Sequence, residues 1–351
     1  MKTLKLMMAT ATALAGLWGA AAPAQAQQLV VATFGGKSPE HMREHIFDAF
    51  TADTGIKVEQ VIVPGKMLAG MQAQQETGNV QWDLTTSISA SDFATMSARG
   101  YLADLPADIR TILEKDYAVV RPNGFANKRG ALLIVCNKKA VDACPTTAAE
   151  FLDVDKFPGT RFMPSFQFLE ALAFGAYASG VPADKVFPLD LDRAIAALEK
   201  LRPTIAQFYD NSTTARQLLS SGEVQMGLLW NGIPPQILGE GNVNVDLQVS
   251  WDGAVTYSQW TAVYNNGPNT ETAWKFLKWL NTHPEAVAAY ASAEGTDTAN
   301  KAAFALQTEE IKEWSPVKDH GVPTLPVNTE WYMAAGDTKT KIDEFWKNYI
   351  N

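Results

Sequence analysis

The stretch that decides the fold is residues 223–232, with the sequence EVQMGLLWNG. Its apolar positions from 224 to 229 are typical of a buried parallel strand, and the run stops at Trp230, Asn231 and Gly232. In open α/β sheets, ligands bind in the crevice at the carboxyl ends of the strands. The stretch therefore predicts an α/β fold with Trp230 and Asn231 at a ligand site. The alternative is that the Trp230 ring fills the core.

Strands alternate with helices along the chain before this stretch. Residues 29–34 form a short apolar run that ends in Gly35-Gly36, and a helical segment follows. A third strand, around residues 82–84, ends in a run of threonines and serines. This alternation predicts right-handed crossovers and a mainly parallel sheet, again with polar residues at the strand ends. The Gly pair lacks the remaining glycines of a dinucleotide fingerprint, so the sequence does not support nucleotide binding.

The first 26 residues have the features of a signal peptide. Lys2 and Lys5 precede an apolar run over residues 6–22, and Ala24-Gln25-Ala26 is a small-x-small cleavage site. We therefore expect cleavage after Ala26 and export to the periplasm, the alternative being a retained membrane anchor. No later stretch has the ~20 uninterrupted apolar residues that span a bilayer.

Length and charge narrow the class of protein. Without the signal peptide roughly 325 residues remain, more than one core usually holds, which favours two lobes. The predicted crossings near residues 127–131 and 258 give a first lobe of 27–130 plus about 259–305, and a second of 131–258 plus about 306–351. The net charge of −9, without a basic tract, argues against nucleic acid and anionic membranes as partners.

The chain has two cysteines, Cys136 and Cys144. Disulfides persist outside the cytoplasm, and these two residues are close enough in sequence to close a short loop. We predict a Cys136–Cys144 disulfide, the alternative being two buried thiols. No third residue with metal-site spacing lies nearby.

Several segments, taken in order, carry a family resemblance. They are Phe50-x3-Thr54-Gly55-Ile56-Lys57-Val58, Trp82-Asp83-Leu84, and the segments at residues 100–105, 222–232 and 273–280. Their order and spacing resemble those of the extracellular solute-binding proteins of ABC importers, and among these the spermidine/putrescine-binding type. The resemblance covers nearly all of the chain after the signal peptide.

The resemblance implies an α/β, two-lobed periplasmic-binding-protein fold of type II-like topology. Each lobe would be a mainly parallel sheet flanked by helices, and two hinge crossings would join the lobes. A monomer of this kind closes on a solute in the cleft and then docks on an ABC permease in the inner membrane. The resemblance implies neither a cofactor nor an enzymatic activity.

The resemblance also implies which residues face the ligand. The loop after the first strand contributes Phe34, Gly35 and Gly36, the loop after the third strand contributes Thr86, Ser87 and Ser89, and Trp230 lines the cleft. At the second crossing, Tyr257 and Gln259 occupy the positions where polyamine binders typically have an aromatic residue and an aspartate. Further candidates for ligand contact are Asn231 and three acids that stand near strand ends, Asp83, Asp210 and Asp252. The alternative for Asp83 is that it caps a neighbouring helix.

Two departures from the polyamine binders affect the expected ligand. Gln259 is neutral and cannot supply the charge-assisted hydrogen bond of a carboxylate, which is about twice as strong as a neutral one. In the second lobe, the segment 163–170 has no acid before Glu170. Aromatic rings could still hold a cation by cation–π contacts. We therefore predict a polyamine such as putrescine or spermidine first, and another small cationic or zwitterionic solute second.

A different class of function is suggested by residues 41–45, whose sequence HMREH matches the H-x-x-E-H of inverted zinc peptidases. His41 and His45 would share the metal, with Glu44 beside them. Against this hypothesis, no other histidine precedes His283. The motif also lies in the first strand–helix unit, where Glu44 is more simply a solvated side chain.

Overall fold

The structure, a computed structural model, describes residues 28–239, 241 and 244–351. The predicted signal peptide, residues 1–26, lies outside these residues. The disulfide lies within them: Cys136 and Cys144 are bonded, with their Cα atoms 5.7 Å apart. It ties the end of a long central strand to the loop that follows.

Strands and helices alternate over the first part of the chain, in line with the sequence pattern. They are β1 (Gln28–Thr33), α1 (Ser38–Met42), α2 (Asp48–Thr54), β2 (Lys57–Ile62), α3 (Met67–Thr77), β3 (Leu84–Ser89), α4 (Ala90–Ala98), α5 (Ala107–Asp116), β4 (Val120–Arg121) and β5 (Gly124–Asn137). A π-helical turn, Arg43–Phe47, joins α1 to α2.

The alternation continues to the end of the chain. The elements are α6 (Ala148–Leu152), β6 (Arg161–Pro164), α7 (Phe168–Ala178), α8 (Leu191–Leu201), β7 (Ile205–Tyr209), α9 (Ser212–Ser221), β8 (Met226–Trp230), α10 (Ile233–Gly239), β9 (Leu247–Val263), α11 (Thr270–Thr282), α12 (Pro284–Ala293), α13 (Lys301–Leu306), α14 (Glu309–Glu313), β10 (Thr324–Pro326), α15 (Thr329–Ala334) and α16 (Asp337–Tyr349).

Ten strands of the described chain form one mixed sheet. Eight of them follow the order β2-β1-β3-β9-β5-β8-β6-β7, and the other two, β4 and β10, pair with β5 and β9. The strands at each end are parallel: β2, β1 and β3 at one end, and β8, β6 and β7 at the other. The three central pairings, β3–β9, β9–β5 and β5–β8, are antiparallel. The chain passes from one end of the sheet to the other along β5 and returns along β9, in the opposite direction. The α/β prediction is confirmed, and the two parallel sets are joined into one continuous sheet.

The side chains that pack on the two ends of the sheet form separate cores. One includes Phe47, Phe50 and Phe276, and the other includes Phe174 and Trp346. The boundaries predicted at residues 130 and 258 fall inside β5 and β9, the two strands that run between these cores. We use the predicted boundaries to name the first and second lobe below.

The disulfide should contribute measurably to stability. Cys136 and Cys144 are eight residues apart in sequence, and closing a loop of this size in the unfolded chain corresponds to about 2–3 kcal/mol. We expect the Cys136→Ser/Cys144→Ser double variant to lose that much free energy of unfolding in urea titrations. Solute affinity should be unchanged, since neither sulfur lines the cavity described below. An unchanged urea midpoint would contradict this expectation.

Candidate functional site

A cavity of about 80 Å³ lies where the ends of β1, β3 and β8 meet the crossing strands β5 and β9. Both lobes line it. Of the residues proposed from the sequence, the structure brings seven together here: Phe34, Gly35, Ser87, Asp210, Trp230, Tyr257 and Gln259.

One wall of the cavity is aromatic and joins the two lobes. The ring of Phe34, at the end of β1, lies 5.6 Å from that of Phe166, which lies 5.9 Å from that of Trp230. Trp230 also packs edge-on against Tyr209 at 5.0 Å, and its indole N–H donates to Gln167 Oε1 at 2.5 Å. These contacts fix the indole plane at the end of β8. The aromatic side chain is therefore held in one orientation before any solute arrives.

Tyr257 reaches the cavity because its neighbour across the ladder is a glycine. Gly130 of β5 pairs with Tyr257 of β9, and a Cβ atom on Gly130 would lie 2.4 Å from the tyrosine ring. Only glycine lets the ring lie across the strand in this way. Side chains alternate along a strand, so Gln259 shares the cavity face with Tyr257. Trp260 faces the other way and stacks on Phe93 with ring centroids 4.1 Å apart.

Charged side chains of both signs border the cavity. Lys128 Nζ lies 3.5 Å from Glu294 Oε2, and His41 Nδ1 lies 2.6 Å from Glu294 Oε1. Burial acts to raise the pKa of Glu294, but Lys128 and the hydrogen bond from His41 outweigh burial, so the pKa is lowered. The same hydrogen bond raises the pKa of His41.

A second ion pair lies next to the first. Arg129 Nη2 is 3.1 Å from Asp297 Oδ2. Burial raises the pKa of Asp297 to about 6, with Arg129 and the Ser315 hydroxyl opposing it. At neutral pH the two cations of β5 and the two carboxylates therefore balance.

Asn231, Asp83 and Asp252 were predicted to face the ligand, but their side chains form hydrogen bonds with other parts of the protein. Asn231 is fully buried: its Oδ1 accepts from the Ala131 N–H at 2.9 Å and its Nδ2 donates to a backbone carbonyl at 2.7 Å. Asp83 is also fully buried and accepts from the Val30 N–H at 2.7 Å. Asp252 accepts from the Tyr177 hydroxyl and the Ala148 N–H, both at 2.8 Å. Each side chain holds backbone or core groups, away from the cavity.

The remaining three predicted residues also lie outside the cavity lining. Ser89 caps α4 by accepting from the Asp92 N–H at 3.1 Å. The Thr86 hydroxyl points to Met42 Sδ at 3.3 Å. Gly36 is exposed at the start of the loop after β1. Polar residues at strand ends thus divide between solute-facing and structural positions.

Sequence reasoning missed several residues of the lining, above all Lys128, Glu294 and Phe166. The available signal for Lys128 was its place in the predicted first crossing, because crossing strands border the cleft. Two acids whose charges interact, Asp92 and Glu170, were also missed. Burial raises the pKa of Asp92 to about 6, and burial raises that of Glu170 to about 7, with a further contribution from the charge of Asp92.

The two histidines of the H-x-x-E-H motif lie in different structural settings. His41 is bound to Glu294, and residues 43–47 form the π-helical turn, so His41 and His45 are not separated by an ordinary helical turn. Among the described residues, no three His, Cys, Asp or Glu side chains are grouped so that they could hold a metal ion. Within the same residues, no helix has the length and apolar character needed to cross a bilayer.

Comparison with known proteins gives a consistent picture. Residues 45–318 match the family model for bacterial extracellular solute-binding proteins. The chain is 25% identical over 338 residues to the gamma-aminobutyric acid-binding protein of Pseudomonas aeruginosa, covering 95% of this chain and 90% of that one. It is 24% identical over 218 residues to the spermidine/putrescine-binding periplasmic protein of Escherichia coli, covering 62% and 61%.

Solved structures share the whole architecture. A GABA receptor superposes with a TM-score of 0.80 at 25% identity, covering 93% of this chain and 98% of that one. A periplasmic binding protein from A. tumefaciens B6, in complex with glucopine, superposes with a TM-score of 0.82 at 26% identity, covering 93% and 100%. Both similarities extend over the two lobes and the strands between them.

Proposed function

Because this chain belongs to the bacterial extracellular solute-binding proteins, we propose that it captures a small amine-bearing solute between its lobes and delivers it to an ABC permease. The observation that supports an amine-bearing solute is the aromatic wall of the cavity, formed by Phe34, Phe166, Trp230 and Tyr257. An ammonium group over such rings gains about 0.5–2 kcal/mol per contact, depending on desolvation.

Closure of the lobes accompanies binding in this proposal. Phe34 belongs to the first lobe and Phe166 to the second, and their rings meet at 5.6 Å. A solute that touches both rings stabilises the arrangement in which they are close, and so favours the closed member of an existing equilibrium. The closed protein is the form that would deliver the solute from the periplasm to the permease.

The size of the cavity limits the solute. A buried water takes about 10–15 Å³ of such space, so about 80 Å³ accommodates roughly five to eight non-hydrogen atoms. Putrescine and 4-aminobutyrate meet this limit, whereas spermidine is longer. Relatives that bind gamma-aminobutyric acid and polyamines are consistent with this range.

A thermal-shift screen followed by calorimetry tests the proposal. We expect at least one amine-bearing solute among 4-aminobutyrate, putrescine and spermidine to raise the melting temperature of the mature protein. A ligand at 100 times its Kd stabilises the native state by about 2.7 kcal/mol. Butyrate and glucose, which lack an amine, serve as controls and should leave the melting temperature unchanged. If a control raises it and all three amines leave it unmoved at millimolar concentration, the amine proposal is wrong.

A further inference from the structure

We propose that Ser87, Gln259 and Lys128 form a subsite for a carboxylate, so that the solute is a short amino acid with separated amine and carboxylate groups. This inference rests on the proposed function, because it assigns the second end of the same solute. It changes the expected class of solute from a dication, such as putrescine, to a zwitterion.

The three side chains come from three neighbouring strands. The order β3-β9-β5 brings these strands together: Lys128 is the direct ladder partner of Gln259, and Ser87 lies two residues before Ser89, the β3 partner of Gln259. All three line the same cavity. Their hydroxyl, amide and ammonium groups therefore give the lining three hydrogen-bond donors from adjacent strands.

The Ser87 and Gln259 donors are not used within the part of the protein that the structure describes, and Lys128 has a long ion pair, with Glu294 at 3.5 Å. Over residues 28–239, 241 and 244–351, no hydrogen bond is made by the Ser87 hydroxyl, the Gln259 side-chain amide or the Lys128 ammonium. The 3.5 Å between Lys128 and Glu294 exceeds the about 2.7–2.9 Å of a charge-assisted hydrogen bond. Ser87 is 4% exposed and the Lys128 side chain 14% exposed.

The surrounding charges favour an anion over a second ammonium. Lys128 and Arg129 are balanced by Glu294 and Asp297, and protonation of His41 would add one positive charge. The ring of Tyr290, from α12, lies under the Lys128 ammonium at 5.7 Å and carries no charge at neutral pH. Glu294 Oε1 is bonded to His41 at 2.6 Å and Oε2 faces the Lys128 ammonium at 3.5 Å, so the charge of this carboxylate is already offset within the protein. Asp210, exposed at the end of β7, is the one further carboxylate in the described lining, which suits one amine of a solute but not the two amines of a diamine.

The test compares two probes of matched length, 4-aminobutyrate and putrescine, by calorimetry on the mature protein. The first carries one amine and one carboxylate, and the second carries two amines. We expect wild-type protein to bind 4-aminobutyrate at least about tenfold more tightly than putrescine. Lys128→Gln should weaken 4-aminobutyrate by about 10- to 100-fold and should not weaken putrescine. Lys128→Arg should retain most of the affinity for 4-aminobutyrate.

A loss of folding would lower the affinity for both probes together. A variant that loses affinity for 4-aminobutyrate alone therefore indicates a carboxylate subsite and not a structural role. Gln259→Glu provides an independent variant: it should weaken 4-aminobutyrate and strengthen putrescine. Lys301→Gln, on the exposed first turn of α13, is the matched control and should change neither affinity.

The outcomes distinguish the inference from the proposed function. If putrescine binds wild-type protein as tightly as 4-aminobutyrate, or if Lys128→Gln protein with wild-type circular dichroism loses both affinities equally, the carboxylate subsite is overturned and the amine-binding function stands. If neither probe binds wild-type protein but spermidine does, the subsite is overturned and the amine-binding function stands; if spermidine fails as well, both are overturned.

Discussion

Replacing Trp230 with alanine should remove most of the solute affinity. The indole is the part of the aromatic wall that is fixed most firmly, by its hydrogen bond to Gln167 and its packing on Tyr209 and Phe166. Buried tryptophans at the centre of a binding site typically contribute about 2–4 kcal/mol. Trp230→Ala should therefore raise the Kd of the best amine solute by roughly 30- to 1000-fold. Calorimetry on the folded variant measures this change in Kd.

Two matched variants sharpen that experiment. Trp230→Phe keeps a ring over the cavity and loses only the N–H donor to Gln167, so it should lose roughly tenfold in affinity or less. Trp251→Ala removes an indole of the second lobe that stacks on His320, outside the cavity lining, and should leave the Kd unchanged. Equal losses for Trp230→Ala and Trp251→Ala would indicate general destabilisation and would contradict a direct contact.

The same strand end shows how far sequence reasoning reaches. The apolar run of β8 and its polar ending predicted a strand that stops at the site, and Trp230 does line the cavity. Its neighbour Asn231 was assigned to the ligand by the same rule. Successive side chains point to opposite faces, so Asn231 faces β5 and binds Ala131. Strand ends can be located from a sequence more readily than the face that each end residue presents.

Partners that are distant in sequence account for most of what was missed. Lys128 could be placed near a crossing, but its relation to Glu294 and Gln259 depends on the sheet order and on the loop after α12. Residues 243–249 and 253–264 each have the local pattern of a separate strand, but the structure has the single strand β9. It continues from Leu247 to Val263 because β5 pairs with both of its halves. Long-range pairing of this kind leaves no local pattern in the chain.

Asp83 is a further residue that only the structure could assign, and its removal should strongly destabilise the first lobe. Its carboxylate accepts from the Val30 N–H at 2.7 Å, from the Asn269 N–H at 2.7 Å and from Asn269 Nδ2 at 3.0 Å. It therefore ties β1 to the start of β3 and to the first turn of α11. Asp83→Ala would leave these donors buried without an acceptor, at a cost of about 3–5 kcal/mol. Urea titration followed by circular dichroism measures the loss.

Comparison of stability with affinity decides between the structural and the ligand-contact role of Asp83. Asp83→Asn keeps one acceptor oxygen and should lose a smaller free energy of unfolding, about 1–3 kcal/mol, since one of the bonds survives. Asp104→Ala, at an exposed aspartate of the same lobe, should stay within about 0.5 kcal/mol of wild type. Folded Asp83→Asn should bind the solute with wild-type affinity, because its oxygens face backbone and Asn269 and lie outside the cavity lining. A variant with wild-type stability and weakened binding would restore Asp83 to the ligand site, as the sequence alone had suggested.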